Sequence, residues 1–286
     1  MTIENLILMG PGESLSSKIA DIKRLSNAKT IAFHRVFPYV SSLTGYVPDY
    51  WTWADPDACI EGLEYILENK EKNPSLKNIK IVIPDFITGT YQYFRRFSGT
   101  TPLGKDPSLW QKYLTLLNQV SLTNEIKIVP STTSKNICLE PSNNLDYANG
   151  IFQDNMIFRF TGLKTVFGSV KYDSDRVVGT HNRWPLENKV SSHMFPLAYY
   201  LQAKNVYCVG FDFIGGRFYD SNKSRHAWGT DVSIDNLSDG IKFSLSLIEE
   251  WVLAKEVHQM NIKCLTSSDE SLLNLVMPDM NTSNIL

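Results

Sequence analysis

Cysteine is scarce in this chain, with four in 286 residues, Cys59, Cys138, Cys208 and Cys264, all far apart in sequence. Cys208 and Cys264 lie inside apolar runs that read as buried strands. That distribution excludes a disulfide framework, argues against a zinc site and predicts free thiols in a reducing compartment. Long hydrophobic runs are also missing. None approaches the ~18 apolar residues needed to cross a bilayer, so no integral membrane segment is expected. The chain reaches its first loop at Gly10 without room for the parts of a signal peptide, and the expected location is cytoplasmic. No charge sign dominates, since 28 Lys and Arg stand against 30 Asp and Glu without blocks of either. Nucleic acid is therefore not an expected partner.

What the chain has is enough apolar residue, 43% of the sequence, to bury one large core. Ile3 to Met9 reads as a strand, followed by a Gly-Pro-Gly turn and a helix carrying Leu15, Ile19, Ile22 and Leu25 at helical spacing. Strands are then predicted at Thr30 to Phe33, Tyr50 to Trp53 and Ile79 to Pro84, with a helix from Pro56 to Leu67 that has proline in its first turn. After a looser stretch come a helix from Ser192 to Ala203, a strand from Val206 to Phe211, a helix from Ile234 to Met260, a strand from Ile262 to Leu265 and a closing helix from Glu270 to Val276. The alternation predicts a single α/β domain over 1–286, with a mainly parallel sheet and helices on both faces. Residues 86–185 read as an insertion or lid, despite a helix near Pro107 to Val120 and a strand at Ile126 to Val129 within them.

Chemistry points first to the turn Gly10-Pro11-Gly12-Glu13-Ser14. Its glycines let backbone approach a ligand, Ser14 is placed to cap the helix, and amides at that helix start would face an anion. Leu15 stands where a dinucleotide fingerprint wants a third glycine, which weakens a nicotinamide reading, and no Gly-Lys-Ser/Thr follows, which excludes a P-loop. The strand ending Gly210-Phe211-Asp212-Phe213 emits an acid at its carboxyl end, where Asp212 either meets a ligand or caps a neighbouring loop. Beyond it stand Arg217, Tyr219 and His226, an imidazole suited to accept a proton near neutral pH. Asp55-Pro56-Asp57 keeps open a metal-dependent transferase. Trp51, Trp53, Tyr91, Tyr93 and Phe94 read as core more than as stacking platforms, Arg95 and Arg96 as a solvated face, and His258 as structural. His193 stands beside a helix start, where it can touch a ligand.

Several of these segments occur in an order that resembles the bacterial sialyltransferases of glycosyltransferase family 42. They are Gly10 to Leu15, Asp55-Pro56, Lys189-Val190-Ser191-Ser192, Gly210 to Phe213, His226 to Asp231 and Ser271-Leu272-Leu273. The resemblance covers about residues 1–67 and 189–278. It implies a modified Rossmann fold, a CMP-sugar donor, a glycan acceptor, inversion at the anomeric carbon and no cofactor or required metal. By position, Gly10, Gly12 and Ser14 would hold the donor phosphate region, Asp55, Ser191 and Ser192 the cytidine and ribose, and His226 would be the general base. Tyr219 would stabilise the departing phosphate. The chain departs from the pattern at Pro11 and His34, where asparagines that touch the donor are usual, and at Ile214, where a second tyrosine is usual. Two alternatives stay open: an ATP- and Mg²⁺-using pterin diphosphokinase or flagellar accessory relative, and a nucleotide-binding module without transfer activity.

Overall fold

The strand-forming runs all enter one sheet, and every neighbouring pair in it is parallel. The computed structural model describes residues 2–53, 59–84, 106–129, 194–213, 237, 239–253, 255–266 and 271–278. Its strands are β1 (Ile3–Met9), β2 (Lys29–Phe33), β3 (Tyr50–Thr52), β4 (Lys80–Pro84), β5 (Ile126–Val129), β6 (Ala203–Val209) and β7 (Asn261–Cys264), in the spatial order β5-β4-β3-β2-β1-β6-β7. β1 through β5 march outward on one side, and the chain then returns to the other side of β1. The reversal between β1 and β6 is the topological switch point, where open parallel sheets bind their ligands. Both strands there are continuous apolar runs, and Leu6 to Met9, Val206, Cys208 and Val209 are fully buried, as a central parallel strand covered on both sides requires.

Parallel neighbours need crossovers, and helices supply them. α1 (Ser14–Ile22), α2 (Val36–Thr44), α3 (Ile60–Asn69) and α4 (Pro107–Ser121) link the first five strands, while α5 (Met194–Tyr200), α6 (Asp239–Leu253) and α7 (Lys255–His258) serve β6 and β7. The Asp106 side chain accepts from the Ser108 amide at 2.8 Å and Pro107 opens α4, so that helix start is legible in three residues.

Other boundaries differ from expectation. α2 is an element that the sequence reading did not place; its Pro38 lies in the first turn, where no intrahelical donor is lost, and Val36, Phe37 and Val40 are buried. α3 begins at Ile60 with Cys59 as its cap, later than the expected Pro56, which lies outside the described residues. The closing helix is reduced to a 3₁₀ turn, Leu272–Leu275, whose start is capped by Ser271 accepting from the Leu273 amide at 3.1 Å. Within the stretch 86–185, which reads as an insertion in sequence, lie α4 and β5, and β5 pairs with β4 along Ile81↔Ile126 to Pro84↔Val129. One strand of that stretch is thus part of the main sheet, and α4 is the helix that precedes it.

An aromatic wedge fixes the β2/β3 side of the fold. Trp51 and Trp53 alternate onto one face of β3, with ring centroids 4.3 Å apart, and Phe37 of α2 lies 4.7 Å from Trp51. Trp53 donates to the Tyr113 hydroxyl of α4 at 3.3 Å. A Cβ on Gly62 would meet the Trp51 ring at 2.5 Å, so α3 reaches its place because position 62 has no side chain. Trp51 and Trp53 are core, as expected; Tyr91, Tyr93, Phe94, Arg95 and Arg96 lie outside the described residues.

His258 closes α7 as a buried structural histidine. Its Nδ1 accepts from the Met260 amide at 2.9 Å and its Nε2 faces the Trp251 carbonyl at 2.5 Å, which requires the neutral ring protonated on Nε2. Burial holds its pKa below the ordinary 6.5. The unfolded chain therefore binds a proton that the native ring refuses, and His258 contributes stability above about pH 6.5 that is lost as pH falls below it. His258→Gln, which can accept and donate at similar positions, should flatten the melting temperature against pH between about 6.5 and 5 relative to wild type. Equal acid sensitivity in both proteins would show that His258 plays no part in it.

Candidate functional site

The carboxyl ends of β1 and β6 are drawn together by backbone contacts that continue the sheet past its strands. The Gly10 amide donates to the Val209 carbonyl at 2.8 Å and the Gly12 amide to the Gly210 carbonyl at 2.6 Å. No side chain fits between the two loops. A Cβ on Gly10 would stand 2.4 Å from the Gly210 oxygen, and one on Gly12 would stand 2.3 Å from Oδ2 of Asp212. Gly210 itself turns through φ +73°, a left-handed conformation that suits glycine. Phe33 and Phe211 meet edge to face at 5.6 Å beside this knot.

Asp212 is the centre of the knot and is only 3% exposed. Its Oδ2 accepts from the Ser14 amide at 2.9 Å, and its Oδ1 accepts from the Ser14 hydroxyl. The same hydroxyl accepts from the Gly210 amide at 3.0 Å. The Asp212 carbonyl takes the Leu272 amide at 2.9 Å, which ties the segment after β7 to the same point. Of the two roles open to Asp212, the structure shows the capping one: its carboxylate satisfies a helix-start amide of α1, a place that favours negative charge. Ser14 is not the cap that it was expected to be. It is the first residue of α1, Glu13 holds the cap position without a side-chain bond, and the capping group arrives from another strand.

This arrangement alters what the Gly10 to Ser14 turn can offer an anion. The amides of Gly10, Gly12, Ser14, Leu15 and Ser16 all donate within the protein, and Pro11 has none to give. A carboxylate already sits at the α1 start. Most of the amides of this turn are thus already used within the protein. The glycines, whose expected task was to admit phosphate, are required by strand-to-strand approach, and that requirement is visible in the sequence only once Gly210 is placed beside them.

At β2 the chain leaves the sheet through His34, at φ 50°, with its amide donating to the Thr52 carbonyl at 2.8 Å and its carbonyl accepting from Trp51 Nε1 at 2.8 Å. His34 therefore shares the carboxyl edge with Gly10, Gly12, Ser14 and Asp212. Asp55, Ser191, Ser192, Arg217, Tyr219 and His226 lie outside the described residues, as do Asp57 and His193. Behind the knot, the Cys264 thiol lies 2.7 Å from the Thr266 hydroxyl. Burial pushes the Cys208 and Cys264 thiols up, and both are buried and free, so neither suits a nucleophile at neutral pH. Among the described residues no cluster of His, Cys, Asp and Glu is composed to hold a metal, and no helix is long and apolar enough to cross a membrane.

The fold and this edge define a Rossmann-like α/β chain whose strand order reverses between β1 and β6. No protein-family profile matches the chain, and no curated protein matches it. Among solved structures it is similar to the sialyltransferase CstII of Campylobacter jejuni in complex with a substrate analogue, cytidine-5'-monophosphate, at 14% identity and a TM-score of 0.48, over 99% of this chain and 87% of that one. It is also similar to the monofunctional α-2,3-sialyltransferase Cst-I of the same organism, at 16% identity and a TM-score of 0.49, over 99% of this chain and 82% of the other. These likenesses concern the course of the chain; the contacts above come from its own residues.

The knot makes Gly12 and Asp212 energetically dependent on one another. Gly12→Ala should destabilise the protein by about 1–3 kcal/mol through overpacking against the carboxylate. In an Asp212→Ala background, where Oδ2 is gone, the same substitution should cost less, with a coupling of about 0.5–3 kcal/mol in a denaturation double-mutant cycle. Strict additivity would mean that the two residues do not meet.

Proposed function

We propose that this chain is a sialyltransferase-like glycosyltransferase, which moves sialic acid or a related 2-keto sugar acid from a CMP-sugar to a glycan acceptor with inversion and without a metal. The observation that carries the reading is the meeting of two loops 198 residues apart, Gly10 to Ser14 and Gly210 to Asp212, at the switch point of a parallel sheet. Both loops belong to the ordered set of segments that resembles family 42, and nothing about their separation in sequence requires them to touch.

Inverting transfer needs a base for the acceptor hydroxyl and a means of neutralising the leaving phosphate. In this reading His226 takes the hydroxyl proton as the acceptor oxygen attacks the anomeric carbon. Tyr219 donates a hydrogen bond to the departing CMP phosphate and Arg217 meets its charge. Asp55, Ser191 and Ser192 hold cytidine and ribose, and His34 stands at the edge beside them. Gly10, Gly12, Ser14 and Asp212 form the floor of the donor site. Since the floor already carries a carboxylate and its amides are engaged, the phosphate charge has to be met by groups such as Tyr219 and Arg217.

Two measurements test this. Transfer from CMP-sialic acid to a panel of glycans should continue in excess EDTA, because no step uses a metal. Loss of activity restored by Mn²⁺ or Mg²⁺ would move the chemistry to Asp55 and Asp57. His226→Ala should lower turnover by about 10²- to 10⁴-fold while CMP affinity stays within a few-fold, the pattern of a lost general base. Near-normal turnover of the folded variant would remove His226 from the mechanism.

A further inference from the structure

Arg35 follows His34 at the carboxyl end of β2, in the cap position of α2. Its guanidinium, on a side chain 37% exposed, reaches toward α3, where Nε lies 3.6 Å from Oε2 of Glu61, too far for a hydrogen bond, and the Nε atom, itself buried, makes none among the described residues. A buried donor without an acceptor is uncommon and asks for a reason. The surroundings sharpen the question. α2 has no acidic residue in its first turn and no side-chain cap, so a cation has been set at the positive end of a helix, where an anion is favoured. Glu61 offsets this incompletely, since its side chain is 51% exposed.

Both partners are nevertheless rooted in rigid structure. The residue before Arg35 is pinned on each side, by its amide to Thr52 and by its carbonyl to Trp51 Nε1. The residue after Glu61 is Gly62, packed onto the same Trp51 ring. A planar guanidinium is well matched to an oxyanion, and its fork geometry loses less freedom per hydrogen bond than an ammonium does.

We propose that Arg35 is the oxyanion-recognising residue of this edge, held by Glu61 as a stand-in carboxylate that yields part of the guanidinium when an anionic donor group arrives. The inference rests on the CMP-sugar reading above, and it assigns to Arg35 a role that Gly10 to Ser14 cannot fill with their engaged amides. Two groups of such a donor share the required chemistry, the nucleotide phosphate and the carboxylate of the sugar acid.

Calorimetric titration of cytidine, CMP and CMP-sialic acid into wild type, Arg35→Gln, Arg35→Lys and Glu61→Gln distinguishes them. Arg35→Gln should weaken binding of the anionic ligand by about 10- to 100-fold, the worth of a charged hydrogen bond, and leave cytidine unchanged. A loss already present with CMP assigns Arg35 to the phosphate, and a loss confined to CMP-sialic acid assigns it to the carboxylate. Arg35→Lys keeps the charge without the fork and should fall between. Glu61→Gln should tighten anion binding a few-fold, because it removes the competitor. A merely structural pair would instead lower the melting temperature in both variants without these opposite changes in affinity, and unchanged anion affinity in Arg35→Gln or weakened affinity in Glu61→Gln overturns the proposal. Wild type that binds none of the three ligands refutes the donor reading itself, which is a separate outcome from a variant that binds like wild type.

Discussion

The contact between the Asp212 carboxylate and Ser14 joins the two strands at which the sheet order reverses. A carboxylate on a residue only 3% exposed would be costly alone, and here it is matched to a helix start whose amide needs an acceptor. The glycines around it follow from that choice. Gly12 leaves space for the carboxylate, and Gly10 and Gly210 let two backbones approach more closely than any side chain allows. Because Asp212 also accepts from Leu272, the segment after β7 is ordered by the same residue. Three connections that are remote in sequence thus share one anchor, and the shape of the switch-point crevice depends on it.

The carboxyl edge is electrically uneven as a result. On the β1/β6 side a carboxylate has closed the helix start, so an incoming anion meets a neutral or negative surface. On the β2/β3 side the start of α2 carries Arg35 and no acid of its own, and the first turn of α3 contributes Glu61. The aromatic wedge of Phe37, Trp51 and Trp53 sets this half rigidly, since Trp51 both bonds the His34 carbonyl and fills the space left by Gly62.

Much of this was legible in sequence, and for identifiable reasons. β1, β2, β4, β5, β6 and β7 are compact apolar or β-branched runs, and their alternation with helical periodicity implies a parallel sheet. The two loops that meet at the switch point were each conspicuous, one by its glycines and one by an acid after a buried strand. Their hydrogen bonding was not, because a carboxylate that caps a helix across 198 residues leaves no local pattern. Capping rules look for Ser or Asp beside the helix, and they assigned to Ser14 a task that Asp212 performs. α2 was not placed from sequence, and its Pro38 is tolerated because it falls in the first turn. Arg35 carried no signal at all, since its meaning comes from Glu61 lying across the gap between two helices. The membership of β5 in the sheet, within a stretch that read as inserted, likewise depends on pairing with β4, which periodicity does not specify.

Burial also constrains where the proposed base can come from. Within the described core it moves protonation equilibria away from neutrality: Tyr46 is pushed up to about 12, Cys208 and Cys264 rise, and His258 falls. His258 has both ring nitrogens bonded and cannot approach an acceptor. Asp212, the acid nearest the switch point, is held by the Ser14 amide and hydroxyl, and withdrawing it would release α1. A sheet built this way supplies a firm floor and orientation, but it offers little freedom for a group that must gain a proton in each turnover and lose it again. Such a group is better carried by a segment that follows the floor than by the floor itself, and the residues after β6, where Arg217, Tyr219 and His226 stand in sequence, leave directly from the carboxyl end of the strand that Asp212 anchors.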